Sequence, residues 1–519
     1  MLGKIVEFNT IIDKIVKIEQ QCDINAVLYK DIKVWPLIRL FISTQLCHPD
    51  IEVIKSSGDA IPSVPDNIFI KSRRILSRAK KSLKNYYHLY YHSKELNKIA
   101  NNNIDLLFFS SNGNGNYTNI FGKFYNIYLD SMIDFVNNRY ELLKVEISSE
   151  NVASSLPRYI DTIFLDSSHF NKMKRDELAR NYPDNIINFI ELKKVVEEIT
   201  NSKVILNERF IVNIAQLVEE HQLFYIELLS RLSPKVIFVI CYYTPIIMAL
   251  IRAANQLGIK TVDIQHGCIG PYHGLYSQWT KIPVEGYDLV PDFFWVWGEQ
   301  SKENILRGQP DGCRHHQPVV GGNLWLAKYQ QKAGYPESPE VREFFDSLKK
   351  YRKVILFTLQ PLAEPIPAHV LEAMRRSPQD WLWLIRAHPL YKNELTKIEI
   401  LLHQNNIENY ETKLSSDLPL YLLFRGVDHH ITCGSSCGFE AITFDIPNTI
   451  VDHNYAVDQA DYILTGLFSC CLNADDLLAT IGNSDKQEKI EEDTPYIETD
   501  YGKANQALEF IISSQVARA

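Results

Sequence analysis

Lys260-Thr-Val-Asp-Ile-Gln-His-Gly267 is a short, β-branched stretch that ends in a histidine and a glycine. Its composition predicts a buried strand that delivers an imidazole to a loop at its C-terminal end. In open parallel α/β sheets, ligands bind at the carboxyl ends of the strands, and histidine is the side chain best suited to moving protons near neutral pH. His266 is therefore a candidate functional residue. The alternative is a histidine that nearby backbone groups satisfy at a strand end.

Strands and helices alternate on both sides of this stretch. The first series of strand candidates lies at 104–111, 141–147, 162–165, 236–241, 261–264 and 293–297. The second series lies at 353–360, 381–386, 429–433 and 449–452. Strands that alternate with helices predict βαβ units and parallel sheets. We therefore predict an α/β protein whose two Rossmann-like domains face a central cleft, which has room for two substrates.

The predicted boundaries divide the chain into three parts. At 519 residues the chain is longer than one hydrophobic core usually organises. A polar stretch at 329–340 contains one glycine and two prolines, which is typical of a linker. The predicted parts are a mainly helical N-terminal extension at 1–103, a Rossmann-like domain at 104–328 and a second Rossmann-like domain at 341–519.

Composition and charge exclude several classes of protein. Hydrophobic residues make up 45% and charged residues 23%, which is ordinary for a soluble globular chain. The net charge of -9 argues against a nucleic-acid binder, because such proteins need a basic surface. Nine cysteines without a CxxC pair argue against a disulfide framework and favour a reducing compartment. Charged residues throughout positions 1–25 argue against a signal peptide, so we expect a cytoplasmic protein.

One segment of the predicted N-terminal extension is strongly basic. Between positions 71 and 98, nine lysines and arginines are interleaved with tyrosines and aliphatic residues. A helix of this composition fits an anionic membrane surface, which would make the protein peripheral at the inner membrane. The alternative is a solvated helix that buries its tyrosines against its own domain.

Basic groups follow one strand of the second predicted domain. Arg386 and His388 come at the end of the strand at 381–386, and Pro389 disfavours helical backbone at His388, which keeps it extended. A guanidinium and an imidazole at a sheet edge suit a phosphate group. The alternative is a structural loop.

A glycine and two serines follow the neighbouring strand candidate at 429–433. Ser435 and Ser436 come directly after Gly434 and before an apolar pattern that predicts a helix. Hydroxyls and free N–H groups at a helix N-terminus bind anions, and plain capping of the helix is the alternative. The remaining candidates for a nucleotide site are Thr358, Gln360 and Glu440.

Three motifs together resemble those of known enzymes. Gln265-His-Gly267, Arg386-Ala-His-Pro389 and Ser435-Ser436, the last followed by Glu440-Ala441 and Pro447, resemble motifs of bacterial GT-B glycosyltransferases that build surface polysaccharides. The most similar groups are CDP-glycerol glycerophosphotransferases, Kdo transferases of capsule and O-antigen assembly, and bacterial sialyltransferases. The resemblance covers roughly 104–478.

The resemblance implies a division of labour between the domains. The nucleotide of a nucleotide-sugar donor would lie on the C-terminal domain, with His388 and the serine pair on its phosphates. His266 would face the acceptor, a glycan or lipid-linked glycan, from the N-terminal domain. The other predicted acceptor contacts are Gln265, Gly267 and Tyr272.

Departures from the motifs favour a glycosyl donor over a glycerol phosphate donor. Gln265 stands where many glycerophosphotransferases have tryptophan, and Gly434 stands where they often have aspartate. The segment after His266 is closer to capsule and O-antigen proteins. We therefore predict transfer of a sugar, with CMP- and CDP-linked donors as candidates.

Catalysis by such an enzyme needs a base for the acceptor hydroxyl. His266 is the first candidate, and Asp263 and His273 are the others. A retaining reaction through a covalent step would need a carboxylate nucleophile, for which Asp130, Asp134 and Asp263 are available. No DxD motif stands at a strand end of the second half, so we expect transfer without metal or cofactor. The alternatives are a nucleotide-sugar epimerase, a glycerophosphotransferase and a non-catalytic component of a polysaccharide assembly complex.

Overall fold

The structure is a computed structural model, and it describes most of the chain. The described residues are 2–47, 97, 103–111, 116–120, 122–136, 139–148, 157–166, 185–330, 339–360, 362, 364–388, 394–484 and 496–515. Three predictions therefore fall outside it: the basic segment at 71–98 apart from Asn97, most of the linker at 329–340, and Pro389. Within the described part, no helix is long and apolar enough to cross a membrane.

Helices and strands are numbered in chain order. The helices are α1 Leu2–Gln21, α2 Trp35–Cys47, α3 Leu129–Val136, α4 Phe189–Ile199, α5 Glu208–Leu232, α6 Pro245–Gln256, α7 Glu299–Leu306, α8 Leu324–Gln330, α9 Pro339–Leu348, α10 Ala368–Arg376, α11 Leu395–Gln404, α12 Lys413–Asp417, α13 Leu420–Leu423, α14 Cys437–Ile442, α15 His453–Asp458, α16 Ala460–Leu464, α17 Ala474–Asn483 and α18 Tyr501–Ser513. The strands are β1 Leu28–Tyr29, β2 Ile32–Lys33, β3 Leu106–Ser111, β4 Tyr117–Ile120, β5 Lys123–Asn126, β6 Leu142–Ser148, β7 Thr162–Asp166, β8 Val236–Ile240, β9 Lys260–Ile264, β10 Phe293–Val296, β11 Gln317–Val320, β12 Lys353–Thr358, β13 Trp381–Arg386, β14 Tyr410–Glu411, β15 His429–Thr432, β16 Asn448–Ile450 and β17 Ser469–Cys470.

The first large sheet has seven parallel strands. Their spatial order is β11-β10-β9-β8-β3-β6-β7. Numbered within the sheet and read from β7, this order is 3-2-1-4-5-6-7, which is the Rossmann order with one strand added. The order reverses between β3 and β8, so the crevice for a ligand is expected at their carboxyl ends.

The second large sheet has six parallel strands in a similar order. Their order is β14-β13-β12-β15-β16-β17, which is 3-2-1-4-5-6 within the sheet. Here the order reverses between β12 and β15. Two Rossmann-like α/β domains, the GT-B pattern predicted from the sequence, are thereby confirmed.

The central strands are buried along most of their length because helices cover both faces of each sheet. All five residues of β8 and all six of β12 are buried. The edge strands β11, β14 and β17 were missed from the sequence. They have four, two and two residues, and β11 contains Pro318, which is tolerated at a sheet edge.

The two ends of the described chain both pack on the first sheet. Buried residues of α1 and α2, such as Ile15 and Trp35, share a hydrophobic core with Leu107 and Val239 of the sheet. On the opposite face, Leu508 of α18 packs in a second cluster with strand residues of the same sheet. The N-terminal helices are thus continuous with the first domain in packing, while the exact limits given above for the domains stay predictions.

Candidate active site

His266 lies just beyond the carboxyl end of β9 and is half-buried. Its Nε2 is 3.3 Å from the hydroxyl of Tyr243, which follows the neighbouring strand β8. Burial lowers the pKa of His266 to about 4, against a small opposing effect of the Ile264 backbone. The imidazole is therefore neutral at pH 7 and has a ring nitrogen able to accept a hydrogen bond.

Tyr243 is a site residue that the sequence did not reveal. Cys241, the first residue after β8, has a φ of 60°, a left-handed conformation that is strained for a side chain with a Cβ. The chain turns there and enters α6, whose N-cap Thr244 accepts a hydrogen bond from the Ile247 N–H. This turn at the reversal point of the sheet is the signal that could have found Tyr243.

Asp263 and Gln265 support the site from below. Asp263 is 1% exposed, and its carboxylate accepts from the Tyr242 N–H at 3.1 Å and from the Tyr276 hydroxyl at 2.7 Å. Burial raises the pKa of Asp263 to about 7. Gln265 is also buried, accepting from the Trp297 N–H at 2.7 Å and donating to the Gly267 carbonyl at 2.8 Å. Both side chains therefore bond to groups within the protein and are not directed at a ligand by these contacts.

The loop after His266 brings a second histidine to the same place. The ring centroid of His273 lies 4.8 Å from that of Tyr276 and 6.3 Å from that of Tyr243. Burial, and then the neighbouring His266, lower the pKa of His273 to about 4. Tyr272 beside it is half-buried against the first core. At Gly267 an added Cβ would meet no atom within 4 Å, so space is open beside its backbone.

The two aspartates of α3 are engaged in ion pairs. Asp130 is fully buried, with one oxygen 2.5 Å from Lys144 Nζ and the other accepting from the Asn126 N–H at 2.8 Å. Burial outweighs Lys144 and raises the pKa of Asp130. Asp134 accepts from the Lys328 ammonium and from the Tyr125 hydroxyl, each at 2.9 Å.

Arg386 ends β13 and is partly buried in the second domain. Its Nη1 donates to the carbonyls of Ser415 and Leu418, each at 2.6 Å. Burial lowers the pKa of Arg386, and Cys437 and Glu440 are the first groups that oppose the shift. Arginine remains charged at neutral pH, so the guanidinium is a fixed cation at this edge.

His388 lines a pocket at the carboxyl ends of β12 and β13. The pocket has a volume of about 330 Å³, and burial lowers the pKa of His388. The buried Oε1 of Gln360, also in the lining, has no hydrogen-bond partner among the described residues. The other lining residues are Leu359, Leu362, Pro365, Ala387, Glu394, Lys397, Ile398 and Leu401.

The serine pair occupies the turn between β15 and α14, the helix predicted there. Ser435 Oγ accepts from the Cys437 N–H at 3.3 Å and donates to its sulfur at 3.1 Å. Ser436 is the N-cap residue of α14, yet its side chain makes no capping hydrogen bond. A Cβ at Gly434 would lie 2.4 Å from the Cβ of Tyr455, so only glycine fits this close approach.

Two predicted nucleotide contacts lie deeper than expected. Thr358 is 3% exposed, and its hydroxyl is 2.9 Å from His430 Nε2 in the interior of the second sheet. Glu440 is 7% exposed and accepts from the Tyr421 hydroxyl. Burial raises the pKa of Glu440 to about 7, although Tyr421, Cys437 and Arg386 oppose the shift.

Tyr128 joins the two halves of the site. Its hydroxyl donates to the backbone carbonyl of His266 at 3.0 Å. Its pKa is raised well above the usual value by burial first, and then by Glu440 and Cys437 of the second domain. Tyr128 also packs against the hydrophobic cluster that contains Phe439 and Ala441 of α14. One tyrosine therefore contacts both the His266 segment and the neighbourhood of α14. His266 and Glu440, which are 174 positions apart in the sequence, are brought near one another here.

Among the described residues, no group of three or more histidine, cysteine, aspartate or glutamate side chains is arranged to hold a metal ion.

Solved structures with a similar chain path include UDP-GlcNAc 2-epimerases and glycosyltransferases. A putative UDP-N-acetylglucosamine 2-epimerase from Listeria monocytogenes shares 15% identity over 79% of this chain and 96% of its own, with a TM-score of 0.49. The UDP-GlcNAc 2-epimerase of Methanocaldococcus jannaschii shares 14% over 78% and 99%, with a TM-score of 0.47. A spinosyn rhamnosyltransferase shares 13% over 79% and 92%, with a TM-score of 0.39.

These similarities concern the fold alone, since the identities are low. No protein-family profile matches the sequence, and no curated protein matches it.

Proposed function

We propose that this protein is a glycosyltransferase that moves a sugar from a nucleotide-activated donor to a glycan or lipid-linked acceptor. The observation that carries the proposal is the meeting of two unlike sheet edges at Tyr128. Tyr128 donates to the carbonyl of His266, a neutral histidine of the first edge, and packs against the cluster that contains Phe439 of α14 at the second edge.

The second domain offers the features that a nucleotide requires. Arg386 supplies a fixed positive charge, and the hydroxyl of Ser436 caps no backbone group. Such donors would stabilise the negative charge that develops on a departing phosphate. The pocket beside His388 is large enough for a nucleobase, and ligand sites of this kind are concave and mainly apolar with a few polar groups. The unpartnered Gln360 oxygen would accept from an N–H of the base, as in cytosine, the base of the CMP- and CDP-linked donors.

The first domain offers a proton acceptor. His266 is neutral at pH 7, and Gly267 leaves its backbone side open. A pKa of about 4 makes the free imidazole a weak base. A donor phosphate in the cleft would raise that pKa, because a nearby negative charge favours the imidazolium. His266 would then remove the proton of an acceptor hydroxyl only when the donor is bound.

A panel of nucleotide sugars tests the proposal directly. The full chain is incubated with CMP-, CDP-, UDP-, GDP- and dTDP-sugars, and the melting temperature is recorded, since a ligand that binds only the folded state stabilises it. Any donor that raises the melting temperature is then incubated with glycan acceptors, with and without a chelator. We expect a glycoside product to form both with and without the chelator. An isomerised nucleotide sugar would instead establish an epimerase, and no binding at all would refute the proposal.

We further propose that the protein reaches a lipid-linked acceptor by binding to an anionic membrane surface. The basic segment at 71–98 lies outside the described residues, and its charge and tyrosines are what suggest contact with anionic lipid. Sedimentation with anionic liposomes should recover the protein at low salt and release it at high salt, because salt screens surface charge. Failure to sediment at every ionic strength would make the segment a solvated face.

A further inference from the structure

The loop that carries His273 and Tyr276 is attached to the N-terminal helices. Residues 270–280 follow the His266 segment and belong to no helix or strand. Yet Tyr276 donates to Asp263 under the site, and the His273 ring stands against Tyr243. Something other than a sheet ladder must therefore fix this loop.

Arg39 of α2 makes most of the attachment. Its guanidinium is fully buried and donates to the backbone carbonyls of Gly274, of Ser277 at 2.7 Å and of Gln278 at 3.2 Å. Its central carbon also lies 4.2 Å from the ring centroid of Trp279. One side chain thus binds the backbone of three residues of the loop and contacts the ring of a fourth.

Glu19 of α1 completes the attachment. One carboxylate oxygen pairs with Arg39 and accepts from Trp35 Nε1 at 2.9 Å. The other accepts from the N–H of Thr280 at 2.8 Å and from its hydroxyl at 2.6 Å. The packing is close as well, because a Cβ at Gly274 would lie 2.8 Å from the Ser43 hydroxyl of α2.

We infer that Glu19 and Arg39 are positioning residues of the candidate active site, which they set by holding the loop at 270–280 against Tyr243 and His266. A buried ion pair is a poor means of stabilisation, since an apolar pair of similar volume is often as stable. What the charges provide here is a rigid set of donors and acceptors for the backbone of one loop. The N-terminal helices are then part of the enzyme's site, an inference that rests on the proposed function only where it calls the site active.

Titration of His266 and His273 by nuclear magnetic resonance tests this without a substrate. Their ring-proton signals are assigned with single alanine variants and followed against pH in the full chain. Loosening of the loop should admit water to the site, which relieves the burial that lowers both pKa values. Tyr243 lies beside both rings, Tyr276 lies against His273, and Arg39 is the charged group that acts on His273. Asp263 and Cys241 act on the two tyrosines, and Tyr128 contacts the backbone of His266.

Arg39→Lys is the main variant, because it separates charge from geometry. Lysine keeps the positive charge that itself lowers the pKa of His273, but its single ammonium cannot serve three carbonyls and a carboxylate as the planar fork does. We expect the pKa of both histidines to rise by about one pH unit or more. His266 is the sharper reporter, since its pKa reflects burial and the Ile264 backbone, without Arg39.

Arg252→Lys is the matched control in the same domain. Arg252 is also buried and pairs with Asp288 at 2.6 Å and Asp31 at 2.7 Å, yet none of its hydrogen bonds goes to the loop at 270–280. The Arg252→Lys variant should lower the melting temperature without changing the pKa of His266 or of His273. Unchanged titration in Arg39→Lys, or equal movement in the control, would overturn the inference.

A second route covers the case in which Arg39→Lys does not fold. Gly274→Ala presses the loop away from Ser43 while both charges remain, and it should raise the same two pKa values. Once a donor is known, kcat should fall in these variants while the affinity for the nucleotide, held by the other domain, stays unchanged. A titration change in a protein without transferase activity would preserve the positioning role and refute only the proposed function.

Discussion

The two Rossmann-like sheets share the order of six strands, but their carboxyl edges differ in charge. The edge of the first sheet presents neutral imidazoles and phenols, among them His266, His273 and Tyr243, with pKa values set by burial. The edge of the second presents the fixed charge of Arg386 beside an open pocket. A neutral edge suits proton transfer and a positively charged edge suits anion binding, so the topology determines where a site lies and the side chains determine its chemistry.

Acidification should produce the largest effect on the whole molecule. Burial lowers the pKa of five histidines to about 3 or 4: His266, His273, His316, His429 and His430. Unfolding restores the usual value near 6.5, so the unfolded chain binds more protons and stability falls as pH drops from about 6.5 to 4. Each histidine that is not offset contributes about 1.4 kcal/mol per pH unit in that window.

Four carboxyls among the described residues oppose this trend, since burial raises the pKa values of Asp130, Asp263, Asp288 and Glu440. Asp263 and Glu440 have pKa values raised to about 7, so their contribution is complete below the unfolded value near 4 and is lost as pH rises towards 7. Melting temperatures measured from pH 7 to pH 4 should nevertheless fall, since five histidines are set against four carboxyls, of which only Asp263 and Glu440 have pKa values raised to about 7. A rise over this range would show that the histidines are solvated and would erase the contrast between the two edges.

His266→Ala should abolish most turnover once a donor and acceptor are known. Removal of a positioned base typically costs about 10²- to 10⁴-fold in rate, while nucleotide binding on the other domain should persist. Steady-state kinetics and calorimetry measure the two separately. His403→Ala, at an exposed histidine of α11, is the control. Near-normal turnover in His266→Ala would show that His266 has a structural role and is not the base.

Lys144→Met should destabilise the first domain strongly, because it leaves Asp130 buried without its partner. Breaking one side of a buried pair costs about 3–5 kcal/mol, which urea unfolding would measure. The double variant Asp130→Asn with Lys144→Met should recover much of the loss. A loss below about 1 kcal/mol in the single variant would mean that water reaches Asp130.

His388→Ala should give the smallest effect and test the second edge. Loss of one hydrogen bond of about 1 kcal/mol weakens nucleotide binding about fivefold, and the melting temperature should stay near that of the parent because a loop residue carries little packing. Calorimetry with the best donor measures the affinity, and His403→Ala again serves as control. Unchanged affinity would mean that the nucleotide does not bind in the pocket beside His388.

Much of the fold could be read from the sequence, since buried parallel strands are continuous apolar runs. The predicted strand at 381–386 coincides with β13, and the others agree to within two residues at most ends. The short edge strands and the β4–β5 hairpin were missed because two to four residues carry no periodic pattern. The helix after the serine pair was found where the apolar pattern placed it.

The candidate site was only partly readable. His266 and His388 do lie at strand ends, where each side chain is half-buried. Asp263, Gln265, Thr358 and Asp130 are of suitable type but lie in the interior, engaged by hydrogen bonds or an ion pair. A sequence shows which residue follows a strand, whereas burial depends on which elements cover it.

The sequence by itself determined the two sheets, their parallel strands and the position of His266 and Arg386 at the ends of strands, because these follow from local hydrophobic pattern. Only the tertiary structure decided that Tyr243 and Tyr128 contact the His266 segment and that Arg39 holds the loop at 270–280. Those contacts join residues from separate elements, and in the case of Arg39 they span more than two hundred positions. No local pattern encodes such a pairing, because it arises from how helices and sheets pack.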